Sequence, residues 1–163
     1  MAKLQLQNLW FSEGRRFARW AFSGKKLLLA AKHSLQGVLR PFINRSCMHV
    51  KGHGGVKRAV SIVDKQARKF PWVAKFDISA YYDSINHRKL LSLLDWAGAD
   101  EELLELVSDY LSLPDTGRTG KGMVAGGAIS PLLGALYLHP LDEAMLEQER
   151  KGGFSIAGLW TIS

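Results

Sequence analysis

The sequence predicts an α+β fold that is mostly helical, and two segments and one periodicity carry that prediction. The first segment is Phe76-Asp77-Ile78-Ser79-Ala80-Tyr81-Tyr82-Asp83-Ser84-Ile85-Asn86-His87. It sets a carboxylate at the end of an apolar run, Trp72 to Phe76, with an aromatic five residues beyond it. The second is Gly126-Gly127-Ala128-Ile129-Ser130-Pro131-Leu132-Leu133, continuing to Leu141-Asp142. It reads as a glycine turn that opens a helix. Elsewhere apolar residues recur at the three-to-four spacing of helices that bury one face.

A chain of 163 residues makes one domain, or slightly more. A hydrophobic content of 47% is enough to build a core, which excludes disorder as the default. The charge is divided. Residues 1–75 hold 16 Lys and Arg against Glu13 and Asp64, a balance of +14, and residues 76–163 hold 6 against 13 acids, a balance of −7. A basic half joined to an acidic half predicts a phosphate-facing surface beside a carboxylate-bearing one. Cys47 is the single cysteine, so no disulfide framework is expected. No run of about 18 apolar residues marks a membrane span. The N-terminus lacks the apolar stretch and cleavage site of a signal peptide. A cytoplasmic location is the expectation.

Along the chain, residues 1–22 interleave Trp10, Phe11, Phe17, Trp20 and Phe22 with Arg15, Arg16 and Arg19. They read as a short helix docking its aromatics into a core, with stacking on nucleic acid as the alternative. Lys25 to Ile43 reads as a helix on the spacing of Leu28, Ala31, Leu35 and Leu39, with Pro41 near its end. Gly52, Gly54 and Gly55 allow close approach of another backbone. The helix they open, to Lys69, offers free N–H groups that suit a phosphate, and Lys51, Lys57 and Arg58 add charge. Cys47, His49 and His53 hint at zinc, but a fourth ligand is missing and the spacing fits no standard site. Trp72 to Phe76 reads as a buried strand. His87–Trp96 and Glu101–Leu113 read as amphipathic helices, the second with acids at its N-terminal end to match the helix dipole. Ser130 is a natural N-cap with Pro131 in the first turn. The helix that follows should reach Glu149, kink at Pro140, and close at Lys151-Gly152-Gly153.

On those two segments the chain resembles the bacterial reverse transcriptases of the group II intron and retron type. The resemblance spans about Phe17 to Asp142 and is strongest over Asp77–His87 and Gly126–Asp142. It implies a partial polymerase right hand, with residues 1–73 as a basic, incomplete fingers region and residues 74–163 as the N-terminal half of a palm. In that family Asp77 would be a catalytic, Mg2+-binding carboxylate, with the Ile78 carbonyl as a companion ligand. Tyr82 would lie under the sugar of an incoming dNTP, and its ring would crowd a 2′-hydroxyl. Gly126 and Gly127 would floor the nucleotide site, and Lys51, Lys57 and Arg58 would hold nucleic acid. Mg2+, an RNA template, a DNA primer and dNTPs are the implied cofactor and partners. Many relatives carry Pro-Gln where this chain has Val124-Ala125, which removes a side-chain contact near the nucleotide.

The same resemblance leads one to expect a Tyr-x-Asp-Asp hairpin after the last helix, where this sequence reads Phe154 to Ser163. Read two bases later, the codons of Trp160-Thr161 force an Asp codon. With permitted codons for residues 155–163, the shifted frame spells Tyr-Cys-Arg-Phe-Met-Asp-Asp-Phe, so a frameshift is expected. The parent reaction would be RNA-directed DNA synthesis in a mobile element, with this chain as an inactive fragment that self-associates through an unfinished sheet. A non-catalytic RNA-binding protein using the basic half is the alternative, and a pseudogene product without a stable fold is a third.

Overall fold

The computed structural model describes residues 4, 6–12, 15–44, 47–48, 50, 52–72, 74–113, 120–124 and 127–152, with backbone alone at 9–12 and 15–17. The N-terminal segment is a hairpin, not the expected helix. Strand β1 (Leu6–Ser12) pairs antiparallel with β2 (Arg15–Trp20), Trp10 opposite Phe17 and Ser12 opposite Arg15. The residues explain the correction: Leu9-Trp10-Phe11 and Phe17 through Trp20 favour a pleated surface. A two-residue Glu-Gly interval separates the runs, which is the spacing of a tight hairpin. Trp20, buried at the end of β2, stacks on Tyr110 at 5.6 Å and ties the hairpin to the helices.

Six helices follow: α1 (Phe22–Leu39), α2 (Gly55–Ala67), the single turn α3 (Tyr81–Ser84), α4 (His87–Trp96), α5 (Glu101–Leu111) and α6 (Ser130–Lys151). Their ends follow local chemistry. The Asn86 carboxamide accepts from the Lys89 N–H at 3.0 Å, and the Asp100 carboxylate accepts from the Leu103 N–H at 2.8 Å, capping α4 and α5. Gly98, at φ 89°, stops α4. The Gly98 N–H donates to Asp95 and the Ala99 N–H to Leu94, the paired bonds of a Schellman turn. Before α2, Gly54 sits at φ 101° and Gly52 at φ 96°. A Cβ on Gly52 or Gly55 would meet nothing within 4 Å. Gly52 and Gly55 therefore serve the backbone conformation, whereas a Cβ on Gly54 would also collide with the Arg58 side chain, 2.7 Å from its Cβ.

The core is built by α1, α4, α5 and α6. Leu28, Ala31, Leu35 and Leu39 line one face of α1, as their spacing predicts. Leu90 and Leu94 come from α4, Leu103, Val107 and Tyr110 from α5, and Leu132, Leu133 and Leu136 from α6. Helix α1 packs on α5, α6 and β2, while α4 packs on α5 and α6. Helix α6 passes through Pro140 without ending. No helix among the described residues is long and apolar enough to cross a membrane.

The buried strand expected at Trp72 to Phe76 is not formed: residues 74–78 carry no regular structure, Trp72 is 88% exposed and Phe76 is 85% exposed. A strand needs a neighbour to take its N–H and C=O groups, and the only sheet among the described residues is the β1–β2 pair, which does not include this segment. The unfinished sheet edge expected from that strand is accordingly not formed there. The tail expected to stand in for a catalytic hairpin, residues 154–163, lies outside the described residues.

Candidate functional site

The two segments singled out by sequence meet in space. The stretch after α3 and the stretch before α6 lie antiparallel, with a bridge between Asn86 and Lys121. The His87 N–H donates to Gly120 at 3.0 Å, the Gly122 N–H to Ile85 at 2.8 Å, and the Met123 N–H to Tyr82 at 3.0 Å. The His87 side chain adds a bond to the Gly122 carbonyl at 2.7 Å; a carbonyl only accepts, so Nε2 carries the proton. Farther along α6, the Tyr81 hydroxyl donates to the Gly134 carbonyl at 2.6 Å, and the Asn86 N–H donates to the Tyr137 hydroxyl at 3.3 Å.

Small residues make the junction close. Gly134 is buried on α6, and a Cβ there would stand 3.3 Å from the Tyr82 ring and 3.4 Å from the Tyr81 ring. An isolated glycine inside a helical pattern usually has a packing reason, and this one admits the Tyr81-Tyr82 pair. Gly127 has a similar duty, because a Cβ there would collide with the Tyr110 hydroxyl. That hydroxyl lies 2.6 Å from Ser130 Oγ, and Ser130 Oγ donates to the Val124 carbonyl at 2.9 Å. Since Ser130 has one proton, Tyr110 is the donor in the pair. Ser130 is thus a buried link between α5 and the loop before α6, not the helix cap expected from sequence.

The residues assigned to nucleotide and metal binding differ in exposure. Asp77 and Ile78 lie on the irregular stretch before α3, exposed. Tyr82 is 8% exposed, with its ring against Gly134. Lys57 and Arg58 stand exposed on the first turn of α2. Lys51, Gly126 and His49 lie outside the described residues. Among the described residues no three His, Cys, Asp or Glu side chains converge as a metal-binding group. Asp77 as placed does not fit a two-ion site, which needs several hard oxygen ligands on ions about 4 Å apart. Of the residues that hint at zinc, His49 lies outside the described residues, and Cys47 Sγ donates to the Asp142 carboxylate at 3.3 Å.

Two features of this region were not legible in the sequence. Cys47 and Asp142 are 95 residues apart and nothing in either neighbourhood signals their contact. Burial pushes the Asp142 carboxyl above its ordinary range, against the thiol hydrogen bond and nearby His139, which pull it down. Burial also drives the Tyr81 hydroxyl well above the ordinary tyrosine range, with Tyr82, Tyr137, Asp142 and Cys47 adding to it. Tyr81 is therefore a neutral hydrogen-bond donor throughout the physiological range. The second feature is backbone strain. Ala80, between Asp77 and Tyr82, adopts φ 47° and ψ 44°, a left-handed conformation that costs an L-residue about 1–2 kcal/mol. Ala80→Gly is expected to raise stability by about 1 kcal/mol, read in a urea midpoint. A lower midpoint would show that Ala80 is not left-handed.

The chain is 24% identical over 135 residues to the group II intron-encoded protein LtrA of Lactococcus lactis subsp. cremoris, covering 80% of this chain and 22% of that protein. It is 27% identical over 114 residues to an uncharacterized 91 kDa protein in the cob intron of Schizosaccharomyces pombe, covering 67% of this chain and 14% of that protein. It is 27% identical over 86 residues to protein YkfC of Escherichia coli K12, covering 50% of this chain and 23% of that protein. The chain thus spans less than a quarter of the length of these relatives. No protein-family model matches it. The chain is similar to intron-encoded proteins over most of its length, and the resemblance to group II intron reverse transcriptases carried by its two joined segments is borne out.

Proposed function

We propose that this chain carries part of the fingers and palm of an RNA-directed DNA polymerase from a mobile element, and that the 163-residue polypeptide does not itself extend a primer. The observation that carries the first half is the joining of the two motif segments, through the Asn86–Lys121 bridge and the Tyr81–Gly134 hydrogen bond, in a chain similar to LtrA. The second half rests on Asp77, which is exposed and has no converging partner carboxylates among the described residues. One carboxylate holds two Mg2+ ions poorly against the repulsion of phosphates. The test is primer extension on an RNA template with Mg2+ and dNTPs, for which no product is expected. Metal-dependent extension that disappears in Asp77→Ala would overturn the proposal of inactivity and leave the polymerase reading standing.

A second reading is favoured by the charge partition. In it the basic half, with Lys57 and Arg58 exposed on α2 and Lys51 close before them, binds RNA without catalysis. Such binding would be sequence-independent, because its phosphate contacts carry no base information.

A further inference from the structure

Helix α2 presents an apolar stripe to solvent. Val56, Val60 and Val63 are 62%, 61% and 44% exposed, and Ala67 is exposed beyond them. They fall at i, i+4, i+7 and i+11, the repeat of a seam that faces another helix. The stripe runs about 16 Å at the helical rise. The side of α2 that touches this molecule is a different one, marked by buried Ala59. Lys57 and Arg68 lie along one side of the stripe together with the single acid Asp64, and Arg58 and Lys65 lie behind it. An amphipathic surface helix normally turns its apolar stripe to a partner.

A surface of the opposite charge lies on α4 and α5. Helices α4 and α5 share a shallow, open depression of about 390 Å³ lined by Leu91, Ser92, Asp95, Leu104, Glu105 and Ser108. Helix α5 adds Glu101, Glu102 and Asp109, all exposed. Asp95, Glu105 and the other α5 acids outnumber Arg88, which is exposed one turn before Leu91 and Ser92 on the same face of α4. The net acidic surface complements the lysines and arginines of α2, while two α2 helices facing each other would bring like charges together.

We propose that α2 of one copy docks into the α4–α5 groove of a second copy, giving head-to-tail association. The contact is heterologous, so each open assembly still offers one free α2 at one end and one free groove at the other, and assembly grows with concentration. The contact area is small, as in weak, reversible interfaces burying less than about 1,200 Å². This inference stands apart from the polymerase reading, because it uses neither Asp77 nor the junction of the two motif segments.

The test uses the whole chain and two variants that each block one side of the contact. Val60→Asp places an unpaired carboxylate in the apolar stripe, and Ser92→Arg fills the groove and opposes the basic helix. Both positions are exposed, so both variants should keep the wild-type melting temperature. Light scattering on size-separated samples should show the wild type growing with concentration and shrinking as salt is raised. Each variant alone should stay at 18.1 kDa, with association weakened at least about tenfold. Mixed, they should form a dimer and nothing larger, since the intact α2 of Ser92→Arg fits the intact groove of Val60→Asp. A charge swap gives an independent arm: Lys57→Glu mixed with Glu105→Lys should associate better than either variant alone. A wild type that is monomeric at every concentration, a variant that still assembles by itself, or a mixture that stays monomeric overturns the proposal.

Discussion

Raising salt from about 50 to about 200 mM is expected to cut nucleic-acid binding by this chain by about two to three orders of magnitude. The expectation follows from how charge is distributed rather than from any base contact. Residues 1–75 carry 16 cationic side chains and two acids. If about five of those cations each neutralise one phosphate, counterion release sets a slope near −4.5 in log affinity against log salt. Lys57, Arg58, Lys65 and Arg68 are exposed on or just after α2, and among the described residues the ion pair formed there is that of Arg68 with Asp64, at 3.3 Å and largely exposed to water. Such an exposed pair is worth little and yields readily to phosphate. Reversing Lys51, Lys57 and Arg58 together to Glu should remove most of the affinity and flatten the slope by about three units. Binding should weaken alike on unrelated RNA sequences, and the melting temperature should hold. An affinity indifferent to salt would reduce the basic half to a solvated face.

The helices of this fold were the most legible part of its sequence. Leu28, Leu35 and Leu39 repeat at helical spacing and are buried on α1 as that spacing requires. His87 and Glu101 begin their helices where expected, because Asn86 and Asp100 are side chains that cap. The failures have physical causes. In residues 1–22 the aromatics fit either period, Phe17 with Trp20 as a helical pair or Trp10 and Phe17 as a cross-strand pair. Tertiary context chose the hairpin, with Trp20 stacked on Tyr110. Trp72 to Phe76 is apolar enough for a central strand, but apolarity does not supply the neighbouring strand that its backbone needs. Ser130 has the right identity for a cap, yet its hydroxyl serves Val124 and Tyr110 instead. The site was legible as two segments and not as a geometry. Spacing placed Asp77, Tyr82 and Gly127 within motifs, while burial of Tyr82 and exposure of Asp77 depend on what packs around them.

Gly127→Ala is expected to cost about 1–3 kcal/mol of stability, the range for forcing a methyl group into filled space. In a chain of this size that lowers the melting temperature by several degrees, at about 2–4 °C per kcal/mol. The cause is local. An added Cβ would collide with the Tyr110 hydroxyl and stand 2.7 Å from Ser130 Oγ and 2.9 Å from Tyr110 Cζ. Tyr110 is 1% exposed and held by its bond to Ser130, so the ring has nowhere to move. Tyr110→Phe alone should cost about 1–2 kcal/mol, because it removes a buried hydrogen bond while Ser130 keeps its other partner, the Val124 carbonyl. In the double variant the offending oxygen is gone and the Cβ gains room, though Ser130 Oγ remains close. The combined loss should therefore fall short of the sum by about 0.5–1 kcal/mol. That shortfall decides what Gly127 is for. A glycine kept for internal packing gives a stability loss without any nucleic acid present and couples to Tyr110. A glycine kept only so that the backbone can pass under a base pair gives an unchanged melting temperature, strict additivity with Tyr110→Phe, and a loss seen only in binding.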